Sequence, residues 1–214
     1  MSTSVTLRDG RKVVIDECAT GSWEGGNVWP PAFELVSHLD AIQLQSGLVA
    51  SSAILECGSG CGLVGIAAAL LGARVVLSDL PVALPTLVAN AAANGLVVDD
   101  SIEVAVLDWT AVEQPLLASG RLFDLVIASE CLYDPEMVLP LLRTAHRACE
   151  PNGSLLLAGI IGSECVHLFR RHVQRFFGEC VALPNPGTPD LEPPPTPRAI
   201  HRISKPHTAV LPDL

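Results

Sequence analysis

Residues 54–65, ILECGSGCGLVG, constrain this chain more than any other stretch. Residues 52–55 read as the end of a buried strand. Glu56 is the one charge before Gly58, Gly60 and Gly62, and an apolar helix then runs over 63–71, closed by Gly72. Strand, glycine turn and helix form the first half of a nucleotide-binding βαβ unit. The glycines permit a sharp turn and close approach of backbone to a ligand, and the helix N-terminus adds free N–H groups with partial positive charge.

Two ligand readings compete. Gly60-x-Gly62-x-x-Gly65 matches the dinucleotide fingerprint. Glu56-x-Gly58-x-Gly60-x-Gly62 matches the first motif of S-adenosylmethionine methyltransferases, and the acid two residues before the first glycine favours it, because that cofactor carries an ammonium and a sulfonium instead of a pyrophosphate. A tight turn with no ligand is the plain alternative.

At 214 residues the chain suits one domain with a substantial core. Apolar residues reach 49%, yet no run approaches the roughly 18 residues of a membrane span, so no membrane association is expected. The polar start shows no signal-peptide pattern, and the seven cysteines form no C-x-x-C pair; reduced thiols in the cytoplasm, with the nucleus as a further location, are expected. The histidines show no zinc spacing with them, and no metal site is expected. A net charge of −10 disfavours nucleic acid and permits a basic partner.

Residues 4–8 and 11–16 flank Asp9-Gly10, a hairpin signal. A Gly-rich loop leads to Val28-Trp29-Pro30-Pro31, where the prolines open a helix to about residue 44. The position of Trp29 just before that helix makes it a pocket-wall candidate, with an ordinary core role as the alternative. The second parallel strand, 74–79, ends in Asp79, 21 residues after Gly58. An acid there can accept both ribose hydroxyls, in either cofactor. A helix over 82–94 and a third strand over 102–107 follow. Asp108-Trp109 then offers an aromatic ring for an adenine and a carboxylate for its amine; a loop tryptophan covering the core is equally compatible. The fourth strand, 122–128, is nearly all apolar, as a central parallel strand should be, and leads to Ser129, Glu130 and Tyr133. A helix over 135–149, a fifth strand over 154–161, a helix over 163–177, a Pro-rich loop near 184–197 and last strands over 199–204 and 207–211 complete the chain.

The chain resembles the class I, seven-strand S-adenosylmethionine-dependent methyltransferases, specifically the methyltransferase-like family of non-histone protein lysine methyltransferases. The resemblance rests on Val28-Trp29, the motif at 56–65, Ser78-Asp79-Leu80, Leu107-Asp108-Trp109 and Glu130-x-x-Tyr133, and spans residues 28–160. It implies a Rossmann-like α/β fold: a doubly wound, mostly parallel seven-stranded sheet ending in an antiparallel strand. Residues 1–27 would form an N-terminal hairpin and loop, and 28–214 the methyltransferase domain. It further implies that Trp29, Gly58, Ser59, Gly60, Asp79, Trp109 and Ser129 line the S-adenosylmethionine site, that Glu56 lies near the methionine end, and that Glu130 and Tyr133 serve a lysine of a protein substrate met by a monomer. Glu56 could instead stiffen the glycine loop, Glu130 cap the helix near Pro135 and Tyr133 cover the core. Other readings are a small-amine N-methyltransferase, an NAD-dependent reductase and an inactive binding module.

Overall fold

A computed structural model describes residues 1–17, 24–99, 102–160, 162–183 and 200–204. Strands β1 (Ser2–Thr6) and β2 (Lys12–Asp16) form the expected antiparallel hairpin. Alternation along β2 buries Val13 and Ile15 completely, in the same core as helices α1 (Pro30–Ser46) and α3 (Leu63–Leu70). Two asparagines one turn apart on α4 (Leu84–Ala93 with its C-cap Asn94) grip the hairpin. The Asn94 amide exchanges hydrogen bonds with the Val14 N–H and C=O at 2.8 and 2.6 Å, and Asn90 does the same for Asp16 at 3.0 and 3.1 Å. Side-chain amides thus stand in for a missing strand partner.

The main sheet holds β3 (Ala53–Cys57), β4 (Arg74–Asp79), β5 (Ile102–Val106), β6 (Phe123–Leu132), β7 (Cys149–Ile160), β8 (Glu179–Leu183) and β9 (Ile200–Ser204), in the order β5-β4-β3-β6-β7-β9-β8. The block from β5 to β7 is five strands paired in parallel. The chain leaves β3 toward β4 on one side, and β6 toward β7 on the other, so the topological switch point lies between β3 and β6. In open α/β sheets ligands bind beyond the carboxyl ends of the strands at that point.

Apolar side chains alternate between two cores. Ile54, Val75, Leu77 and Ile127 face α1, α3 and α4, whereas Leu55, Val76, Val126 and Leu157 face α6 (Val138–Ala148) and α7 (Ser163–Phe176). Both faces are covered, which is why the central strands read as continuous apolar runs. The short helices α2 (Leu48–Ser51) and α5 (Pro115–Ala118) were below the length at which periodicity speaks. No helix among the described residues is long and apolar enough to cross a membrane.

Two expectations need correction, and one strand was not anticipated. The antiparallel strand does not end the sheet: β9 is wedged between β7 and β8, antiparallel to both. β8 itself, ECVAL directly after a helix, is too short and mixed to announce itself. β7 begins at Cys149, with Phe123 pairing Cys149 and Leu125 pairing Ser154, so Pro151-Asn152-Gly153 lies within an irregular strand instead of separating helix from strand. The Pro-rich stretch 184–197 and the strand expected over 207–211 lie outside the described residues.

Candidate active site

The glycine turn is fastened to β4 before any ligand arrives. The Ser59 amide donates to the Ser78 carbonyl at 3.0 Å, the Ser78 amide donates to Ser59 Oγ at 3.0 Å, and Ser78 Oγ donates to the Glu56 carbonyl at 2.6 Å. Gly58 has φ +66°, and a Cβ there would lie 2.7 Å from Cys131 Sγ and 3.2 Å from the Trp109 ring. Only glycine meets both demands. Asn90 adds a fourth hydrogen bond, tying the turn to α4 by donating to the Cys61 carbonyl at 2.8 Å. The role of Asn90 had one sequence signal: a pair of asparagines at i and i+4 in an otherwise Ala-rich helix.

Asp79 ends β4 with both carboxylate oxygens engaged. Oδ2 accepts from the Gly60 amide at 2.8 Å and Oδ1 from its neighbour Leu80 at 2.7 Å. Burial raises its pKa, and the two amide donations oppose that rise. Each oxygen keeps a further lone pair. Glu56 is deeper, at 2% exposure, and its Oε2 accepts from the Gly65 amide at 3.1 Å. Burial lifts its pKa to about 8, against the opposing hydrogen bonds of Ser59 and then Gly65. A Cβ on Gly65 would collide with Leu77 and lie 2.5 Å from Glu56 Oε2, so this glycine makes the room for the carboxylate.

Past β5, Asp108 Oδ1 accepts from the Thr110 amide at 2.9 Å and from its hydroxyl at 2.7 Å, which lower the acid's pKa. That oxygen is already committed to a local turn. Trp109 is half-buried; its ring leans on Gly58 and packs against the α6–α7 core.

β6 runs on past Ala128 through a bulge: Ser129 pairs with Ala158 and Leu132 with Ile160, leaving Glu130 and Cys131 opposite Gly159. Glu130 sits there at φ +56°. The helix-capping alternative for Glu130 is taken by Asp134, whose Oδ1 accepts from the Glu136 amide at 2.9 Å. Tyr133 is 54% exposed and does not cover the core. Trp29, at the N-cap of α1, is 45% exposed.

One cavity of about 580 Å³ opens at the carboxyl ends of β3, β4, β5 and β6. Its wall includes all eleven residues singled out from sequence: Trp29, Glu56, Gly58, Ser59, Gly60, Asp79, Asp108, Trp109, Ser129, Glu130 and Tyr133. Gly25, Asn27, Cys131 and Met137 join them without having been anticipated; Cys131 is an unspecified position of Glu130-x-x-Tyr133, and the other three lie in no motif. The volume suits a small-molecule ligand. Two polar wall atoms, Ser129 Oγ and Trp109 Nε1, are buried without a hydrogen-bond partner among the described residues. Buried polar groups left unpaired by the protein are places where a ligand can complete the bonding.

Comparison with known proteins settles the lineage. Residues 8–176 match the family described as lysine methyltransferase. The chain belongs to the lysine methyltransferase family. Protein-lysine methyltransferase METTL21E of Mus musculus is 33% identical over 136 residues, covering 63% of this chain and 55% of the relative. Protein N-lysine methyltransferase METTL21A of Mus musculus is 34% identical over 152 residues, covering 70% and 67%. The chain therefore spans from just over half to two thirds of the length of these relatives. In fold, it superposes on the T. thermophilus 16S rRNA N2 G1207 methyltransferase, solved with AdoMet and guanosine, with a TM-score of 0.65 at 16% identity, over 96% of this chain and 50% of that one.

This lysine methyltransferase family member also departs from the dinucleotide-binding pattern that Gly60-x-Gly62-x-x-Gly65 allowed. The dinucleotide fold sets six parallel strands in the order 3-2-1-4-5-6. Here the same order is interrupted by β9, antiparallel between the fifth and sixth positions.

Proposed function

We propose that the chain transfers a methyl group from S-adenosylmethionine to a lysine side chain of a non-histone protein. The observation that carries this reading is the convergence of Asp79, Trp109, Ser129, Glu130 and Tyr133 on one cavity over the switch point, in a chain of the lysine methyltransferase family. The cavity's residues fit the cofactor. Asp79 retains acceptor capacity for ribose hydroxyls, Trp109 offers a ring beside the glycine turn, and Ser129 Oγ and Trp109 Nε1 await partners. Glu56 braces the first turn of α3 through Gly65, and in this reading shapes the methionine end indirectly.

When bound, S-adenosylmethionine supplies an activated methyl on a good leaving group, so the protein's task is alignment, desolvation and selection. Free lysine has a pKa of about 10.4, so presenting a neutral amine at pH 7 costs roughly 4–5 kcal/mol. A carboxylate beside the amine favours its charged form. Glu130 accordingly acts as an anchor that holds the incoming ammonium and orients it. Tyr133, exposed at the mouth, supplies a ring wall for the lysine stem and an oxygen acceptor. The net charge of −10 supports a basic acceptor segment. Cys57, Cys131, Cys165 and Cys180 are reduced thiols, in keeping with action in the cytoplasm or nucleus, where the chain would act as a monomer.

Calorimetric titration with S-adenosylhomocysteine and NAD, side by side, tests the cofactor half: binding of the first alone is expected, and binding of NAD alone overturns the reading. Tritiated S-adenosylmethionine incubated with a soluble extract tests the acceptor half. Label in the protein fraction is expected; label confined to small molecules favours the amine N-methyltransferase, and none at all favours an inactive binding module.

A further inference from the structure

The bulge that ends β6 rests on a single residue of β7. Glu130 and Cys131 together oppose Gly159, and both sides of this contact are left-handed: Glu130 at φ +56° and Gly159 at φ +77°. Positive φ is uncommon for a non-glycine residue, and bulges beside active sites re-aim side chains. A Cβ built on Gly159 would fall inside the contact distance of Glu130 Oε2, and 2.9 Å from Pro31 Cγ at the start of α1. Gly159 is buried and takes no part in the cavity wall.

We propose that Gly159 is a positioning residue: the side chain it lacks is the space the Glu130 carboxylate occupies, so β7 sets the direction in which Glu130 presents itself to the incoming substrate. This rests on the reading of Glu130 as the anchor for the lysine ammonium. Adding one methyl at position 159 drives the carboxylate off its seat while the glycine turn, Asp79 and Trp109, on other strands, stay as they are. Three costs are mixed in that substitution: a clash with Glu130, a clash with Pro31 Cγ at 2.9 Å, and the left-handed backbone, which disfavours any L side chain. Removing the Glu130 carboxylate isolates the first from the other two.

Gly159→Ala, Glu130→Ala and the double variant are compared in the full chain by three readouts: Tm, S-adenosylhomocysteine affinity by calorimetry, and tritium transfer to the labelled protein band of a soluble extract. Gly159→Ala is expected to lower Tm and to cut transfer at least about tenfold, since misplacement by an ångström has effects of that order or larger, with S-adenosylhomocysteine affinity kept within a few-fold. In the Glu130→Ala background the same substitution is expected to lower Tm by a distinctly smaller amount, because the clash with Glu130 is gone and only Pro31 and the backbone remain. If Gly159→Ala does not fold, a folded double variant upholds the proposal and an unfolded one overturns it. Equal Tm losses in both backgrounds would assign the effect to Pro31 or the backbone and overturn it, as would full transfer by Gly159→Ala or loss of cofactor affinity in step with transfer. Near-wild-type transfer by Glu130→Ala would instead remove the anchor reading itself and the functional half of this proposal with it, leaving the Tm comparison to decide the contact.

Discussion

The Glu56 carboxylate and the Gly65 amide meet at 3.1 Å across the glycine turn, joining the carboxyl end of β3 to the first turn of α3. A buried acid at a helix N-terminus is well placed electrostatically, yet burial still lifts its pKa to about 8 from an ordinary value of 4.5. The consequence has a definite sign. Between those two values the folded chain holds a proton that the unfolded chain has released, so this residue's contribution to stability falls as pH rises through the window. Glu56→Gln keeps an acceptor for Gly65 and cannot titrate. Its Tm is expected to decline less than that of the wild type across the window; parallel declines would contradict the buried-acid account.

Asp79→Ala removes the one acid at the end of β4, along with the acceptor for the Gly60 amide. Hydrogen bonds to charged groups contribute roughly 1.5–3 kcal/mol. Affinity for S-adenosylhomocysteine is expected to fall at least about tenfold in a protein that still melts cooperatively. Unchanged affinity in the folded variant would refute the ribose role.

Trp109→Ala is expected to act on both binding and stability, because the ring stands half in the cavity and half in the α6–α7 core. Base–aromatic stacking contributes roughly 1–3 kcal/mol. The stability loss should stay below the roughly 3–5 kcal/mol of a fully buried tryptophan. A large Tm drop with unaltered cofactor affinity per folded molecule would make Trp109 a core residue only.

Asn90→Ala leaves the Asp16 backbone groups and the Cys61 carbonyl without their amide partner. The bond to the Cys61 carbonyl is buried, and an unpaired buried group costs about 1–3 kcal/mol. Thermal unfolding is expected to show a destabilisation in that range, accompanied by weaker S-adenosylhomocysteine binding as the glycine turn loses its tie to β2. A stability loss with unaltered binding would confine Asn90 to holding the hairpin.

The parts of the site that were legible in sequence are those whose geometry is local. Gly58 to Gly62 must turn, and Asp79 must end a strand, whatever else the chain does. The sheet's middle was legible for the same reason: strands covered on both faces are continuous apolar runs. What escaped notice depends on pairing between distant residues. The left-handed backbone at Glu130 is foreign to glutamate's own preference and follows from the register with β7. The link from Asn90 to Cys61 exists only once α4 has docked. β8 becomes a strand because β9 offers it an edge, and the insertion of β9 before that edge is a tertiary choice with no local signature.

The central claim is methyl transfer to lysine, with Glu130 and Tyr133 holding the amine. The most direct measurement incubates the protein with tritiated S-adenosylmethionine and a soluble extract, hydrolyses the labelled protein band to amino acids and separates the methylated products; wild type, Glu130→Ala and Tyr133→Phe are run on the same preparations, each titrated with S-adenosylhomocysteine. The account predicts label in methyl-lysine for the wild type, and loss of most of it in both variants while cofactor affinity stays within a few-fold. Label in a different amino acid, or near-wild-type methyl-lysine from both variants, would contradict it.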